Sequence, residues 1–209
     1  MSPRSAKVNQ QRRRQSRERI LAAALAVFAE KGYHDATISE ITARAGVSRG
    51  LITYYFPGKQ QLVQELLSRH LDGVAELTNV PGTPDERLAA IIDGALLAVR
   101  LPRQRLALSL MTHPSTNPVF AQVERQKAEH LAAVEDTLRE LFAARGAADP
   151  ALEEVLLRSV LDGVIVKATA YDGYPLERMR RRLYLMYDLP APAHSLIDDD
   201  PPPVGRLRA

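Results

Sequence analysis

The chain of 209 residues contains no cysteine and no tryptophan. Without cysteine it can form neither disulfide bonds nor thiolate metal sites. Its apolar stretches, such as residues 21–29, are far shorter than the roughly 20 residues that a membrane-spanning helix needs. The polar, basic N-terminus lacks the apolar run of a signal peptide. These absences predict a soluble, cytoplasmic protein with no membrane partner.

Proline is absent between Pro3 and Pro57, and the later prolines are spaced along the chain. Because proline is expelled from helix interiors, these gaps outline helices, and the apolar residues between them keep helical spacing. The predicted helices are residues 17–31, 38–45, 49–56, 59–76, 84–100, 103–110, 118–145, 150–171 and 175–187. We therefore expect an all-α fold. The Pro- and Asp-rich tail, residues 188–209, cannot build a core and is predicted to be disordered.

Charge is unevenly distributed along the chain, although the net charge is only +3. Residues 1–19 contain seven Lys or Arg and one Glu, whereas residues 20–76 sum to −1 and residues 77–209 to −2. We interpret residues 1–13 as a flexible basic arm. Two roles of the arm remain open: binding of an anion, and service as a solubilising tail. The candidate DNA contacts of the arm are Arg12, Arg13, Arg14 and Arg17.

Segment 37–56 carries the most informative pattern in the chain. Thr37 can cap a short helix, and Glu40 three residues later completes a capping box. Gly46 follows this helix at a position that needs positive φ, which glycine adopts at little cost. Ser48 can then cap a second helix. Two short helices joined by a tight glycine turn predict a helix-turn-helix, in which the second helix enters the DNA major groove.

The second helix leaves Arg49, Gly50, Thr53, Tyr54 and Tyr55 outward or toward its N-terminal end. Arginine can donate two hydrogen bonds to guanine, and glycine permits close approach to DNA. Tyrosine rings are poorly suited to facing bulk water, which favours a contact surface. The alternative interpretation of the whole segment is a helical corner inside an all-α core. Tyr55 has a separate alternative, which is packing in the core of the DNA-binding domain. With the basic arm upstream, the pattern predicts double-stranded DNA as a partner.

An ordered set of residues extends from the first predicted helix to the start of the fourth: Ile20 to Ala24, Phe28 to Tyr33, Thr37 to Ile41, Ala45 to Ser48, Gly50, Tyr55, Phe56 and Lys59. Their spacing, over residues 14–74, resembles that of the TetR family of bacterial transcriptional repressors. One position departs from the usual pattern, because many members have tyrosine where this chain has Thr53. The Gly-Leu-Ile-x-x-Tyr-Phe form resembles the subgroup that contains the betaine-pathway repressor.

The resemblance implies an N-terminal three-helix DNA-binding domain, residues 14–74, and a larger helical ligand-binding and dimerisation domain, residues 75–187. It also implies which residues approach DNA. Arg49, Gly50 and Thr53 would approach base edges. The implied phosphate contacts are Thr37, Ser48, Tyr54, Tyr55 and Lys59.

No catalytic constellation is visible in the C-terminal part, so we predict neither an enzyme nor a cofactor. The five histidines are scattered, with no pair at the i, i+3 or i+4 spacing typical of helical metal sites, and no metal is predicted. His113 lies at a break between helices where the family builds its ligand pocket, although an exposed loop histidine is the simpler interpretation. The ligand-pocket candidates are Met111, His113 and Phe120.

Two segments suggest self-association as a homodimer. Residues 152–170 are apolar on too many sides for a surface helix, and an amphipathic helix follows them. A central core helix is the alternative. The resemblance implies that the last two helices of each subunit form an intersubunit four-helix bundle. The interface candidates are Leu156, Val160, Gly163, Val164, Lys167 and Leu183.

Together these features predict a homodimeric transcriptional regulator that binds a palindromic operator and is released by an unidentified small-molecule effector. A ligand-independent or architectural DNA-binding protein and an all-α enzyme with an incidental helix-turn-helix remain open as alternatives. Phe120 and Phe142 are the only aromatic residues in the 77–170 segment. The sequence therefore argues against the aromatic cage of a choline-like effector.

Overall fold

A computed structural model describes residues 3–192, 194–196 and 206–207 of the chain, and the all-α prediction is confirmed. A pair of two-residue antiparallel strands, β1 and β2, is added to the helices. The elements are α1 (Pro3–Asp35), α2 (Ile38–Ala45), α3 (Arg49–Tyr55), α4 (Lys59–Thr78), α5 (Pro84–Ala98), α6 (Pro102–Thr112), α7 (Asn117–Gln126), α8 (Ala128–Ala144), α9 (Pro150–Ala170), β1 (Tyr171–Asp172), α10 (Leu176–Met186) and β2 (Arg206–Leu207).

The chain divides into two compact units. The first comprises Met1–His70 with Arg105–Arg125, and the second comprises Leu71–Gln104 with Gln126–Ala209. The division falls after His70, within α4, and not between residues 74 and 75 as expected. It also assigns part of α6 and α7 to the first unit. A hydrogen bond of 3.1 Å from Gln64 to Gln122 is one of the contacts within that unit.

The core of the first unit is formed by one face of each of its first helices. On α1 the predicted apolar stripe from Ile20 to Phe28 is buried. Ile41 on α2 and Ile52 on α3 are at most 1% exposed. α4 adds the predicted stripe that contains Leu62. Burial of these large aliphatic groups, each contributing about 1.5–3 kcal/mol, fixes α2 and α3 on the base formed by α1 and α4.

α1 begins much earlier than expected. The sequence predicts a helix over 17–31 after a flexible arm, whereas the helix begins at Pro3. Proline is favoured in the first turn of a helix, and the Arg, Lys and Gln residues that follow are good helix formers. The segment therefore extends the packed part of α1 toward the N-terminus, where adding residues to an existing helix is easier than nucleating a new one. Residues 3–13 of the predicted flexible arm are therefore corrected to the first turns of α1, and residues 1–2 lie outside the described residues.

The second unit is built from α5, α8, α9 and α10. Thr83 caps α5 with a complete capping box, and Asp149 caps α9. Leu88, Leu141 and Leu157 are at most 1% exposed and lie in a common apolar core. α9, predicted to be too apolar for a surface helix, buries one face in this core.

A single helix over 118–145 was expected, but the chain forms two. α7 ends at Gln126 and α8 begins at Ala128, with Lys127 in a non-helical conformation at the break. The Nζ atom of Lys127 donates to an Asp72 carboxylate oxygen on α4 at 2.6 Å. No glycine or proline marks this break, so helical periodicity alone does not reveal it.

Part of the C-terminal tail is ordered against the second unit, which corrects the expectation of disorder for those residues. Leu189 is 7% exposed in the core. Arg180 donates to the His194 carbonyl oxygen at 2.7 Å, and the Leu196 N–H donates to Glu177 at 3.2 Å. The disorder predicted for residues 193, 197–205 and 208–209 lies outside the described residues. No described helix is long and apolar enough to cross a membrane.

Candidate nucleic-acid interface

α2 begins with the capping box that the sequence predicts. The Thr37 hydroxyl oxygen accepts from the Glu40 N–H at 3.2 Å, and the Glu40 carboxylate accepts from the Thr37 N–H at 3.0 Å. Lys31 on α1 also donates to this carboxylate. The Lys31 bond, followed by the two Thr37 bonds, lowers the pKa of Glu40 to about 2. Both ends of the Thr37 hydroxyl group are used within the box, because it also donates to Glu40.

This geometry predicts a pH-dependent contribution to stability. Because the folded-state pKa of Glu40 is below its ordinary 4.5, the carboxylate stabilises the fold above that pH and loses its contribution as the pH falls toward about 2. We expect the melting temperature of Glu40→Gln to fall less steeply than that of the parent over this interval. Thermal melts by circular dichroism measure the difference. Glu76→Gln, at an exposed position on α4, is the control and should follow the parent.

The turn between α2 and α3 is held by glycine and by an arginine that sequence reasoning did not single out. Gly46 has φ 61° and ψ 42°, the left-handed conformation expected of it. Arg19 on α1 donates to the Ala45 carbonyl oxygen at 2.6 Å and to that of Gly46 at 3.2 Å. It thus satisfies carbonyls at the α2 C-terminus and fixes the turn on α1. Its partner lies 26 residues away, and no local pattern indicates such a contact.

α3 begins at Arg49 and exposes the side predicted to face DNA. The Ser48 oxygen accepts from the Leu51 N–H at 3.2 Å, which leaves the hydroxyl hydrogen available to another partner. Arg49, Gly50 and Thr53 are exposed, together with Tyr54 at 67% exposure. A Cβ atom added to Gly50 would have no atom of the described residues outside its own helix turn within 4 Å, so this position is open. The exposed surface of α3 is therefore cationic at its start and aromatic at its end.

Two residues of α3 have more specific surroundings. The Thr53 hydroxyl donates to the Arg49 carbonyl oxygen at 3.1 Å, so its methyl group is the part left to meet a base. A methyl group suits contact with the methyl of thymine. Tyr55 is half-buried, and its ring meets that of Tyr54 edge-on at 5.0 Å between centroids. The phenol of Tyr55 is thus neither fully in the core nor fully on the surface.

Lys59 has structural partners at the position where the family resemblance implies a phosphate contact. Its Nζ atom donates to the carbonyl oxygens of His34 and Ala36, both at 2.9 Å. The same ammonium lies 4.6 Å from the centroid of the Tyr33 ring. With three N–H donors occupied or shielded in this way, the side chain fastens the start of α4 to the end of α1. A phosphate would have to compete with these contacts.

The four arginines of the basic arm fall into two groups. Arg12, Arg13 and Arg14 are exposed on α1. Arg17 instead pairs with Glu65 on α4 at 2.8 Å and lies 5.5 Å from the Phe56 ring centroid. The first group is thus free of the α1–α4 contact, whereas the last arginine is part of it.

An ion-pair network that the sequence did not reveal continues this α1–α4 contact. Arg69 donates two hydrogen bonds to the Glu18 carboxylate, at 2.6 and 2.7 Å, and a third to Glu65 at 3.0 Å. The bond from Arg69 lowers the pKa of Glu18 below its ordinary value. Bidentate pairs of this kind are geometrically specific, so the network fixes the register of α4 on α1.

The ligand-pocket candidates do not share one environment. Met111 is 41% exposed and His113 is also exposed, whereas Phe120 is buried at 9%. His113 faces α1 and bonds with Ser115. A surface groove of about 840 Å³ lies elsewhere in the first unit, along α1, and is lined by Gln10, Gln11, Arg14, Gln15, Glu18 and Arg19.

The dimer-interface candidates divide between surface and core. Leu156, Gly163 and Lys167 are exposed on α9, and Val160 is half-buried. Val164 and Leu183 are only 3% and 2% exposed within their own subunit, so they are corrected to core residues. Helical periodicity alone cannot distinguish the two faces of a helix that is apolar on both.

Several large apolar side chains of α9 and α10, among them the candidate Leu156, are exposed. These side chains are 39–72% exposed, and the four on α9 recur at spacings that place them on one side of that helix. We call this set the α9–α10 apolar face. Its members are Leu152, Val155, Leu156, Val166, Leu185 and Met186.

Residues 20–66, which contain α2, α3 and the arginine-held turn, match the model of bacterial regulatory proteins of the tetR family. The chain is 30% identical over 174 residues to the HTH-type transcriptional regulator BetI of Escherichia coli K12, covering 78% of this chain and 87% of that protein. BetI of E. coli O17:K52:H18 is 40% identical over 84 residues, which cover 37% of this chain and 43% of that protein.

Solved structures share the fold at lower identity. The fatty acid degradation regulator FadR from Bacillus halodurans has a TM-score of 0.63 and 23% identity, with 82% of this chain and 94% of that chain covered. A regulator from Saccharomonospora viridis in complex with choline has a TM-score of 0.67 and 24% identity, with 83% and 96% covered. With the BetI match extending through most of both chains, this protein belongs to the TetR family of bacterial regulatory proteins and is close to BetI.

Proposed function

We propose that this protein is a homodimeric repressor that binds a palindromic operator through α3 and leaves it when a small molecule binds within residues 75–187. The observation that carries the proposal is the exposed surface of α3, with Arg49, Gly50, Thr53 and Tyr54 open to solvent. An arginine at the start of a recognition helix can reach a base edge, and the small residue beside it permits close approach. The rigid base beneath α3 supports defined positioning of these groups.

Phosphate contacts would come from the neighbouring groups that retain free donors. Ser48 keeps its hydroxyl hydrogen, and the Tyr54 phenol is exposed. Arg12, Arg13 and Arg14 extend the positive charge along α1. Contacts to phosphates position a protein on DNA without reading sequence, so these residues would contribute affinity rather than specificity.

The α9–α10 apolar face supports the homodimer. Burying such a face against a second copy removes it from water at about 25 cal/mol per Å² of apolar area. A two-fold axis through the interface would present two α3 helices to half-sites about 34–36 Å apart. A palindromic operator would match this symmetry.

Release by an effector requires that the ligand prefer the state that does not bind DNA. The neighbour from Saccharomonospora viridis binds choline, but this chain offers little for a quaternary amine. Within residues 77–170 the only aromatic residues are Phe120 and Phe142; both are buried, and the Phe142 ring packs on that of Tyr187 at 5.6 Å. Because this segment offers no aromatic cage, we propose an effector other than a choline-like cation.

A second candidate is a ligand-independent regulator whose larger part serves only for dimerisation. The observation that favours it is the packed core of the second unit, in which Leu88, Ile92 and Leu157 are fully buried. A filled core leaves less room for a ligand than an open cavity would.

A promoter-binding map in the host bacterium tests the proposed function. We expect enriched sites that contain an inverted repeat. We also expect increased transcription of the adjacent genes when the gene for this protein is deleted. The enriched fragment is then titrated with purified protein, with and without candidate metabolites. Decreased transcription on deletion would contradict repression, and operator binding unaffected by any cellular extract would support the second candidate.

A further inference from the structure

Two histidines that are 79 positions apart in the sequence meet in the first unit. His34 lies near the end of α1, and His113 follows α6 in the connection to α7. Their ring centroids are 5.0 Å apart at an angle of 47°. Both residues are exposed, so solvent and ions can reach the pair. Neither the fold nor the DNA-binding surface accounts for this convergence.

Both imidazoles direct a nitrogen atom at the same point. The Ser115 Oγ atom lies 2.7 Å from Nε2 of His34 and 2.8 Å from Nδ1 of His113. The Ser115 N–H also donates to Nδ1 of His113 at 3.3 Å, which identifies that nitrogen as a lone-pair acceptor. His34 offers a second lone pair at Nε2 whenever its proton resides on Nδ1. Two imidazole lone pairs can therefore face one small volume.

We propose that His34 and His113 bind a divalent transition-metal ion, with Zn²⁺ as the representative, in the volume now occupied by the Ser115 hydroxyl group. Zinc–nitrogen bonds of about 2.0–2.1 Å in tetrahedral geometry place two imidazole centroids about 5 Å apart. The observed separation is 5.0 Å. A bound ion would lie closer to both nitrogens than the Ser115 oxygen does at 2.7 and 2.8 Å. Rotation of the Ser115 side chain frees the position.

The remaining ligands of the ion are water molecules. Within the described part of the chain, no group of three or more His, Cys, Asp or Glu side chains converges to hold a metal. Both rings are at the surface, which permits water to complete a four-coordinate shell. Imidazole suits Zn²⁺, Cu²⁺ and Ni²⁺, whereas Mg²⁺ and Ca²⁺ prefer oxygen ligands. The site therefore selects borderline transition-metal ions.

The nearby charges permit binding at this position. The ammonium of Lys59 is directed to the backbone carbonyls of His34 and Ala36 and to the Tyr33 ring. The Tyr33 and His34 rings meet edge-on at 5.3 Å. A bound ion would join the end of α1 to the α6–α7 connection.

Calorimetric titration of the tag-free full-length chain with ZnCl₂, in the absence of DNA, tests the site. We expect one Zn²⁺ per chain, and a loss of affinity of about tenfold or more in both His34→Ala and His113→Ala, since each removes one of two protein ligands. Circular dichroism verifies that both variants remain folded. Because no DNA is present, the result does not depend on the proposed repressor function.

Two further variants distinguish this pair from other possibilities. His130→Ala, on α8 and 3.6 Å from Asp72, is the matched control and should retain the affinity of the parent. Ser115→Ala should bind Zn²⁺ at least as tightly as the parent, because it removes the hydroxyl group that bonds to both imidazoles, keeps the backbone N–H and removes neither ligand. Parental affinity in both His34→Ala and His113→Ala would overturn the proposal, as would loss of binding in His130→Ala alone.

Discussion

Replacement of Arg49 by alanine is expected to reduce affinity for the operator by about 1–3 kcal/mol per half-site and to relax discrimination between operator and scrambled DNA. The physical reason is the loss of a bidentate donor to a base edge, from a side chain that is exposed at the start of α3. Truncation of an exposed side chain leaves the core of the first unit unchanged. Fluorescence anisotropy with operator and with scrambled DNA measures the specific and the non-specific affinity separately.

Deletion of residues 1–14 is the contrasting variant. It removes Arg12, Arg13 and Arg14 but leaves Arg17, which pairs with Glu65. We expect affinity for both DNA sequences to fall together, with the salt slope decreasing by about 0.9 for each lost phosphate contact. Equal losses for operator and scrambled DNA in Arg49→Ala would show that Arg49 does not read bases.

Replacement of Leu156 by glutamate is expected to convert the proposed dimer to a monomer and to weaken operator binding by about 10²–10⁴-fold, because the two half-site contacts are no longer linked. Leu156 is 42% exposed in the α9–α10 apolar face, so the substitution does not open a cavity in the subunit. Each subunit would bring a carboxylate into an apolar interface at a large desolvation cost. Sedimentation velocity measures the assembly state.

Leu97→Glu is the matched control for the dimer experiment. Leu97 is 45% exposed on α5, outside the α9–α10 apolar face. Its replacement by glutamate makes the same change of size and charge as Leu156→Glu. This variant should remain dimeric and bind the operator as the parent does. If it dissociates while Leu156→Glu remains a dimer, the interface lies elsewhere on the subunit.

Local sequence was sufficient to predict the helix-turn-helix. α2 spans residues 38–45 as predicted, and the Thr37 cap and the positive φ of Gly46 both agree with the prediction. Such features depend on groups within a few positions of each other, so they are visible in a single stretch of sequence. The Ser48 cap of α3 is predictable for the same reason.

Side-chain roles were predictable only where the partners are local. Arg19 and Lys59 both bond to carbonyl oxygens more than 20 positions away. From sequence alone they are two cations near a DNA-binding motif. Likewise Val164 and Leu183 fit an apolar interface by periodicity, yet both lie inside the subunit core. The face that an apolar residue occupies depends on which helices pack against it.

The sequence by itself determined the all-α fold, the helix-turn-helix and the exposed chemistry of α3, because caps, turns and helical periodicity operate within one or two turns of helix. Tertiary structure alone decided which cations remain free, which apolar side chains of α9 stay exposed, and that His34 meets His113. Those outcomes depend on contacts between residues far apart in the chain, and the order of residues in one segment does not specify its distant neighbours.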